Sequence, residues 1–113
     1  MSPAQASSEA AIVVLYKTPK DASAFERYCA GTHVPLVDKV QRAVGFTRAA
    51  LQRFERAADG SEPMYYRAAA LWFPSMAALE RGMKTPEFKE LAGDLGNFAS
   101  GWQDVLLSVK TSD

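Results

Sequence analysis

The sequence predicts an α+β fold whose elements follow the order β-α-β-β-α-β. Two predicted strands, residues 11–17 and 65–73, are apolar on both of their alternating faces, which is typical of strands covered on both sides. Two regions with three-and-four apolar spacing, residues 21–42 and 75–96, supply the helices. This order is the split βαβ arrangement, so we expect a ferredoxin-like fold with these two strands at the centre of the sheet.

The first strand and the first helix have clear local boundaries. The strand, residues 11–17, is rich in β-branched residues and is closed by Thr18-Pro19. Asp21 is a suitable N-cap for the helix. Pro35 has no amide hydrogen, so we expect a kink or a restart at Thr32 before the helix continues to about residue 42.

The middle of the chain predicts two strands joined by a turn. Gly45 opens an alternating stretch, residues 46–54, whose arginines favour an edge strand partly facing water. Asp59-Gly60 marks the turn before the central strand 65–73.

The second helical region divides into two helices and is followed by the last strand. Ser75 is the expected N-cap of a short helix, and Thr85, followed by Pro86, is that of a second. Gly96 is its predicted stop, and residues 104–110 form the last strand. The predicted buried stripe of the second helix consists of Phe88, Leu91, Ala92 and Leu95.

Composition limits the protein to a few classes. Residues 1–10 are small and polar and predict a disordered lead-in, which leaves residues 11–110 as one domain. Thirteen basic residues balance thirteen acidic ones, which argues against nucleic acid as a partner, and no apolar run is long enough to cross a membrane. The single cysteine can form no internal disulfide, so a reducing cytoplasm is expected.

Ligand and cofactor motifs are absent from the sequence. It contains no cysteine and histidine cluster for a metal, no glycine-rich dinucleotide or phosphate loop and no nucleophile elbow. No cofactor and no metal are therefore predicted. Any chemistry would rest on proton transfer, or be supplied by the substrate or by oxygen.

The predicted sheet leaves one apolar face without a helix. Both helical regions of a β-α-β-β-α-β unit pack on the same side, and a monomer rarely exposes a large apolar patch on the other. We therefore expect a two-fold homodimer that packs sheet to sheet.

His33 is the candidate catalytic residue. It is the only histidine, it lies beside the expected helix break, and its ordinary pKa of roughly 6.5 suits proton transfer near neutrality. The alternative is a structural histidine that binds a backbone carbonyl freed by Pro35 and holds the kink.

Aromatic side chains are the candidate walls of a pocket for a small hydrophobic molecule. Core packing is the alternative for most of them, and Tyr28 and Tyr66 have the better claim because their hydroxyls could orient a ligand. Cys29 is expected to be an inert buried thiol. Arg67 could bind a ligand carboxylate or pair with an acidic residue of a partner subunit, and structural pairing is the prediction. The predicted ligand-binding residues are Tyr16, Phe25, Tyr28, Tyr66, Trp72, Phe98 and Trp102.

Four segments of the sequence form a recognisable pattern through their order and spacing. They are Leu15-Tyr16-Lys17, Phe25-Glu26-Arg27-Tyr28, Thr32-His33-Val34-Pro35-Leu36 and Asp94-Leu95-Gly96-Asn97-Phe98. This pattern resembles that of the EthD family of the dimeric α+β-barrel superfamily. The resemblance implies a homodimer whose two sheets form a barrel, with a pocket between sheet and helices in each subunit. The family is named after a gene cluster for degrading ethyl tert-butyl ether, and related barrels include cofactor-free monooxygenases, polyketide cyclases, muconolactone isomerases and haem-handling enzymes.

These observations predict a small dimeric enzyme that uses His33 for cofactor-free acid and base chemistry. Dehydration, cyclisation or isomerisation of a small hydrophobic or aromatic compound suits one proton-transfer group. Two alternatives remain: a non-catalytic binding or accessory protein of an oxidative degradation pathway, and a cofactor-free monooxygenase.

Overall fold

The computed structural model describes residues 8–99 and 103–112. Its four strands form one antiparallel sheet in the order β2-β3-β1-β4. They are β1 (Ala10–Tyr16), β2 (Arg48–Arg53), β3 (Arg67–Phe73) and β4 (Gln103–Val109). The predicted α+β, ferredoxin-like class is confirmed, with β1 and β3 in the centre and β2 at an edge.

Four helices lie between the strands, and local capping chemistry sets where three of them begin. The side chains of Asp21, Ser75 and Thr85 each accept a hydrogen bond from the backbone N–H three residues later, as predicted. The helices are α1 (Ala22–Tyr28), α2 (Val34–Val44), α3 (Met76–Met83) and α4 (Pro86–Phe98).

A π-helical turn, Cys29–His33, joins α1 to α2. The Val34 N–H donates to the Cys29 carbonyl five residues earlier, so the turn is wider than an α-helical one. The predicted break is present, but the regular helix resumes at Val34 rather than Thr32. Pro35 explains the break, because it cannot donate to the carbonyl of Gly31.

One sequence prediction about the end of a helix was wrong. Gly96 does not stop α4, which continues to Phe98, and the Ala99 N–H still donates to the Leu95 carbonyl. A glycine ends a helix only where the backbone turns left-handed, as Gly45 does at the end of α2 with a φ of 97°. Of the predicted lead-in, residues 1–7 lie outside the described residues, while Ala10 is already a fully buried part of β1.

The two faces of the sheet differ in what covers them. Ile12, Val14 and Tyr16 of β1 lie on the helix side in the main core, where Leu71 and Phe73 of β3 join them. The alternating positions form a second apolar face, which we call the open face: Val13, Leu15, Ala70, Trp72 and Leu106. In the described part of the chain, no helix is both long and apolar enough to span a membrane.

Candidate functional site

A cavity of about 290 Å³ lies between the helix side of the sheet, α2 and α4. Its walls are mostly aliphatic, and of the described residues that line it only Tyr16, His33 and Asp38 have polar side chains. Asp38 is exposed, while the other two are buried. The main apolar lining residues are Ile12, Val14, Val37, Leu51, Leu71, Phe88, Leu91, Leu95 and Val105.

His33 closes the π-helical turn and borders this cavity. The residue is 5% exposed, and its ring lies 4.7 Å from the Phe98 ring, centroid to centroid. Nδ1 is 2.8 Å from Oδ2 of Asp94 on α4. Within the described residues Nε2 makes no hydrogen bond, so it is the nitrogen available to a bound molecule.

Asp94 is the centre of a buried hydrogen-bond network. Its Oδ1 accepts from the Tyr28 hydroxyl at 2.6 Å and from the Asn97 amide at 3.0 Å. Burial alone would raise the pKa of Asp94, but the hydrogen bonds from Tyr28, Asn97 and His33 outweigh it and hold that pKa below its ordinary value. Asp94 is therefore a carboxylate at neutral pH.

The negative charge of Asp94 determines which ring nitrogen of His33 carries the proton when the ring is neutral. A carboxylate only accepts hydrogen bonds, so we assign the shared proton to Nδ1 of His33. Nε2 then presents a lone pair when the ring is neutral and a proton when it is charged. This arrangement lets His33 act as either base or acid, with Asp94 fixing its orientation.

Tyr16 is the second buried polar residue of the cavity. It is 2% exposed, and its ring contacts those of Phe25 and Phe98 at 5.5 and 5.8 Å between centroids. Its hydroxyl makes no hydrogen bond within the described residues. Burial, followed by the nearby Cys29, raises the pKa of Tyr16 well above its ordinary value, so the hydroxyl keeps its proton.

The other described aromatics that the sequence analysis selected do not line this cavity. Phe25, Tyr28 and Phe98 pack together and border a separate depression of about 300 Å³. Tyr66 contacts Phe25 and donates to Glu26, whereas Trp72 lies on the open face under the Arg48 guanidinium. As ligand-binding residues they stay predictions, and Trp102 lies outside the described residues.

Arg67 is paired within its own chain. Its guanidinium binds both carboxylate oxygens of Glu26 on α1, which also accepts from the Tyr66 hydroxyl at 2.9 Å. Arg67 therefore makes a structural ion pair, but its partner is Glu26 of the same chain rather than the expected acidic residue of a partner subunit. Cys29 is a buried free thiol. Burial raises its pKa, which disfavours the reactive thiolate, as expected of an inert cysteine.

Sequence reasoning gave Asp94 and Asn97 no role, although they position His33. One pattern could have found Asp94, because it falls within the buried stripe of α4 that runs through Leu91, Leu95 and Phe98. An acidic residue in such a stripe needs a partner. Among the described residues, no group of three histidine, cysteine or acidic side chains is arranged to hold a metal ion.

The chain matches a family model and a protein of similar length. A model described as the EthD domain matches residues 17–101. A protein of Rhodococcus erythropolis, described as an uncharacterized 11.0 kDa protein in the thcB-thcC intergenic region, is 31% identical over 97 residues, covering 86% of this chain and 90% of that protein.

Solved structures share the fold at lower identity. An ethyl tert-butyl ether D (EthD) family protein from Bacillus halodurans superposes with a TM-score of 0.81 at 22% identity, covering 91% of this chain and 99% of its own. A dimeric ferredoxin-like protein of unknown function from Jannaschia has a TM-score of 0.66 at 16% identity, with coverages of 88% and 97%. A hydroxynitrile lyase from Passiflora edulis has a TM-score of 0.69 at 13% identity, with coverages of 95% and 97%.

Proposed function

The chain belongs to the EthD family, and from that premise we propose that it binds a small hydrophobic molecule in its cavity and moves a proton on that molecule through His33. One observation carries the proposal. The buried His33–Asp94 pair, 2.8 Å apart, leaves the Nε2 of His33 without a partner within the described residues at the wall of an apolar cavity.

The proposed chemistry needs no group beyond these side chains. Nε2 of neutral His33 takes a proton from a carbon or hydroxyl of the bound molecule, and the Asp94 carboxylate stabilises the imidazolium that forms. The imidazolium then returns the proton at a second position or to a leaving hydroxyl. Dehydration, cyclisation and isomerisation all fit this sequence of steps, and the hydroxynitrile lyase from Passiflora edulis is an example of a lyase with this fold.

The test uses menthone, a cyclic ketone, as a probe of proton transfer. In D₂O we expect the protein to accelerate exchange of the protons next to the carbonyl, followed by NMR. His33→Gln removes the imidazole, and the exchange rate should fall by about 10²–10⁴-fold while menthone affinity stays within a few-fold. Glu90→Gln, at an exposed position on α4, is the control and should exchange like the wild type.

The outcomes of this experiment distinguish the proposed function from its alternatives. Equal exchange by the wild type and His33→Gln would make His33 architectural and overturn the proposal. Menthone binding without exchange would favour the second candidate, a non-catalytic carrier or accessory protein, for which an apolar cavity suffices. Consumption of dissolved oxygen would favour the cofactor-free monooxygenase instead.

We also propose that two copies pack through their open faces as a homodimer in the cytoplasm. The apolar open face and the dimeric ferredoxin-like relative support the assembly, and the buried free thiol of Cys29 suits a reducing compartment.

Light scattering with two neighbouring leucines of β4 tests the dimer. Leu106 is 51% exposed on the open face, whereas Leu107 is 48% exposed on the opposite side. We expect twice the chain mass of 12.3 kDa for the wild type and for Leu107→Lys, but a monomer for Leu106→Lys. A monomeric wild type at micromolar concentration would contradict the proposal.

A further inference from the structure

We infer that the molecule bound in the cavity is a neutral, largely aliphatic compound of about a dozen non-hydrogen atoms with one carbonyl oxygen, which the Tyr16 hydroxyl binds. This inference rests on the proposed function and names the substrate class of the same site. Four features of the cavity support it: its volume, the charges around it, its aliphatic walls and the Tyr16 hydroxyl, which has no partner within the described residues.

The volume of the cavity limits the size of the ligand. A cavity of about 150 Å³ lined by apolar side chains holds one benzene ring of six carbons. The cavity here, at about 290 Å³, is close to twice that volume. It therefore suits roughly twelve non-hydrogen atoms, which is one substituted ring and less than a fused polycyclic skeleton.

The charges around the cavity argue against an anionic ligand. Among the described residues no lysine or arginine lines it, and Asp38 adds negative charge at its exposed side. Arg67 does not line the cavity, and its terminal nitrogen binds the Glu26 carboxylate. A ligand carboxylate or phosphate would lose its hydration without gaining a cation, which is strongly unfavourable.

The walls favour a puckered or branched skeleton over a flat one. Aliphatic side chains from β1, β3, α2 and α4 form most of the surface, and only Tyr16 and Phe88 of the described lining residues are aromatic. A flat ring would find few partners for stacking here, whereas a saturated ring fills such a space by dispersion contacts.

Tyr16 supplies the single polar contact in addition to His33. Tyr16 is 2% exposed and lines the cavity, and its hydroxyl has no hydrogen-bond partner within the described residues. The hydroxyl is not one of the fully buried polar atoms that lack a partner, so a molecule in the cavity can reach it, and a ligand oxygen that accepts from it gains a hydrogen bond. A carbonyl oxygen held this way stabilises the negative charge that develops on it when Nε2 of His33 removes a proton from the α-carbon next to the carbonyl group.

Binding measurements with four probes test the inference by calorimetry. Menthone and limonene have similar ten-carbon skeletons with and without a carbonyl, 4-isopropylcyclohexanecarboxylate adds a negative charge, and 2-naphthol is flat. We expect menthone to bind about 3–10-fold more tightly than limonene, as one net hydrogen bond provides. The carboxylate should bind at least 100-fold more weakly than menthone, and 2-naphthol more weakly than menthone.

Tyr16→Phe removes only the hydroxyl and should abolish the preference for menthone while leaving limonene affinity unchanged. Tyr65→Phe is the matched control, because the Tyr65 hydroxyl donates to Asp104 and Tyr65 does not line the cavity, and this variant should keep the preference. Equal affinity of the wild type for menthone and limonene, or tight binding of the carboxylate, would overturn the inference. Because these ligand comparisons need only the wild type, they decide the matter even if Tyr16→Phe does not fold.

The two proposals fail in different ways. A lost ligand preference with His33-dependent proton exchange intact overturns the substrate class alone. A preserved preference that depends on Tyr16, without any proton exchange, supports the substrate class and overturns catalysis by His33.

Discussion

Replacing Asp94 with asparagine is expected to slow proton exchange at His33 by about 10²–10⁴-fold. Oδ1 of Asp94 accepts from Tyr28 and Asn97, so the amide oxygen of the new side chain will stay on that side. The amide nitrogen then faces Nδ1 of His33 and donates to it. The proton of His33 moves to Nε2, and the lone pair that should attack the substrate is lost.

This reversal can be observed directly. The chain has one histidine, so its imidazole nitrogens give a single pair of ¹⁵N signals in a labelled sample. We expect the wild type to be protonated at Nδ1 and Asp94→Asn at Nε2 at a pH where the ring is neutral. A variant that keeps the Nδ1 proton and still loses activity would contradict the proposed role of Asp94 in setting the tautomer.

The same substitution has a pH-dependent effect on stability. Because the folded-state pKa of Asp94 is lowered, its carboxylate contributes stability fully above the unfolded value of roughly 3.9 and loses it as the pH falls through the lower folded value. At pH 7 the free energy of unfolding of Asp94→Asn should be about 1–3 kcal/mol below that of the wild type. Urea titrations should show this difference shrinking below about pH 4, and Glu90→Gln should show no such difference.

The fold followed from the sequence because its determinants are local. The three N-caps each bond to a backbone group three residues away, so the chemistry of Asp21, Ser75 and Thr85 was readable without a structure. The position of β1 and β3 in the centre of the sheet followed from apolar residues on both faces. The break near Pro35 was predictable from its missing N–H, but its π-helical form depends on how α1 and α2 pack.

The candidate site was only partly predictable because its partners are distant in the chain. His33 was identifiable as the only histidine of the chain, whereas its hydrogen bond joins it to a residue 61 positions away. Periodicity shows that Phe25 and Phe98 are buried, but it does not distinguish the core from a cavity wall. The aliphatic walls of the cavity therefore appeared only once α2 and α4 were placed over the sheet.

Replacing Gly82 with alanine is expected to destabilise the fold, against the usual effect of this substitution in a helix. Alanine in a helix interior is ordinarily more stable than glycine by about 1 kcal/mol. At Gly82 of α3, however, a Cβ would clash with the carbonyl oxygen of Val44 and lie 2.9 Å from Cε2 of Phe73. Neither group yields easily, because one is backbone at the end of α2 and the other is a fully buried ring on a central strand.

We therefore expect Gly82→Ala to lower the free energy of unfolding by about 1–3 kcal/mol, the usual cost of overpacking. Gly93→Ala is the matched control, because Gly93 also lies in a helix, and a Cβ there meets no described atom within 4 Å. It should raise the free energy of unfolding by up to about 1 kcal/mol. Urea unfolding of both variants gives the comparison, and stabilisation by both would mean that α3 does not approach the end of α2 this closely. Opposite signs would show that Gly82 is required by tertiary packing, since helix propensity alone predicts the same sign at both positions.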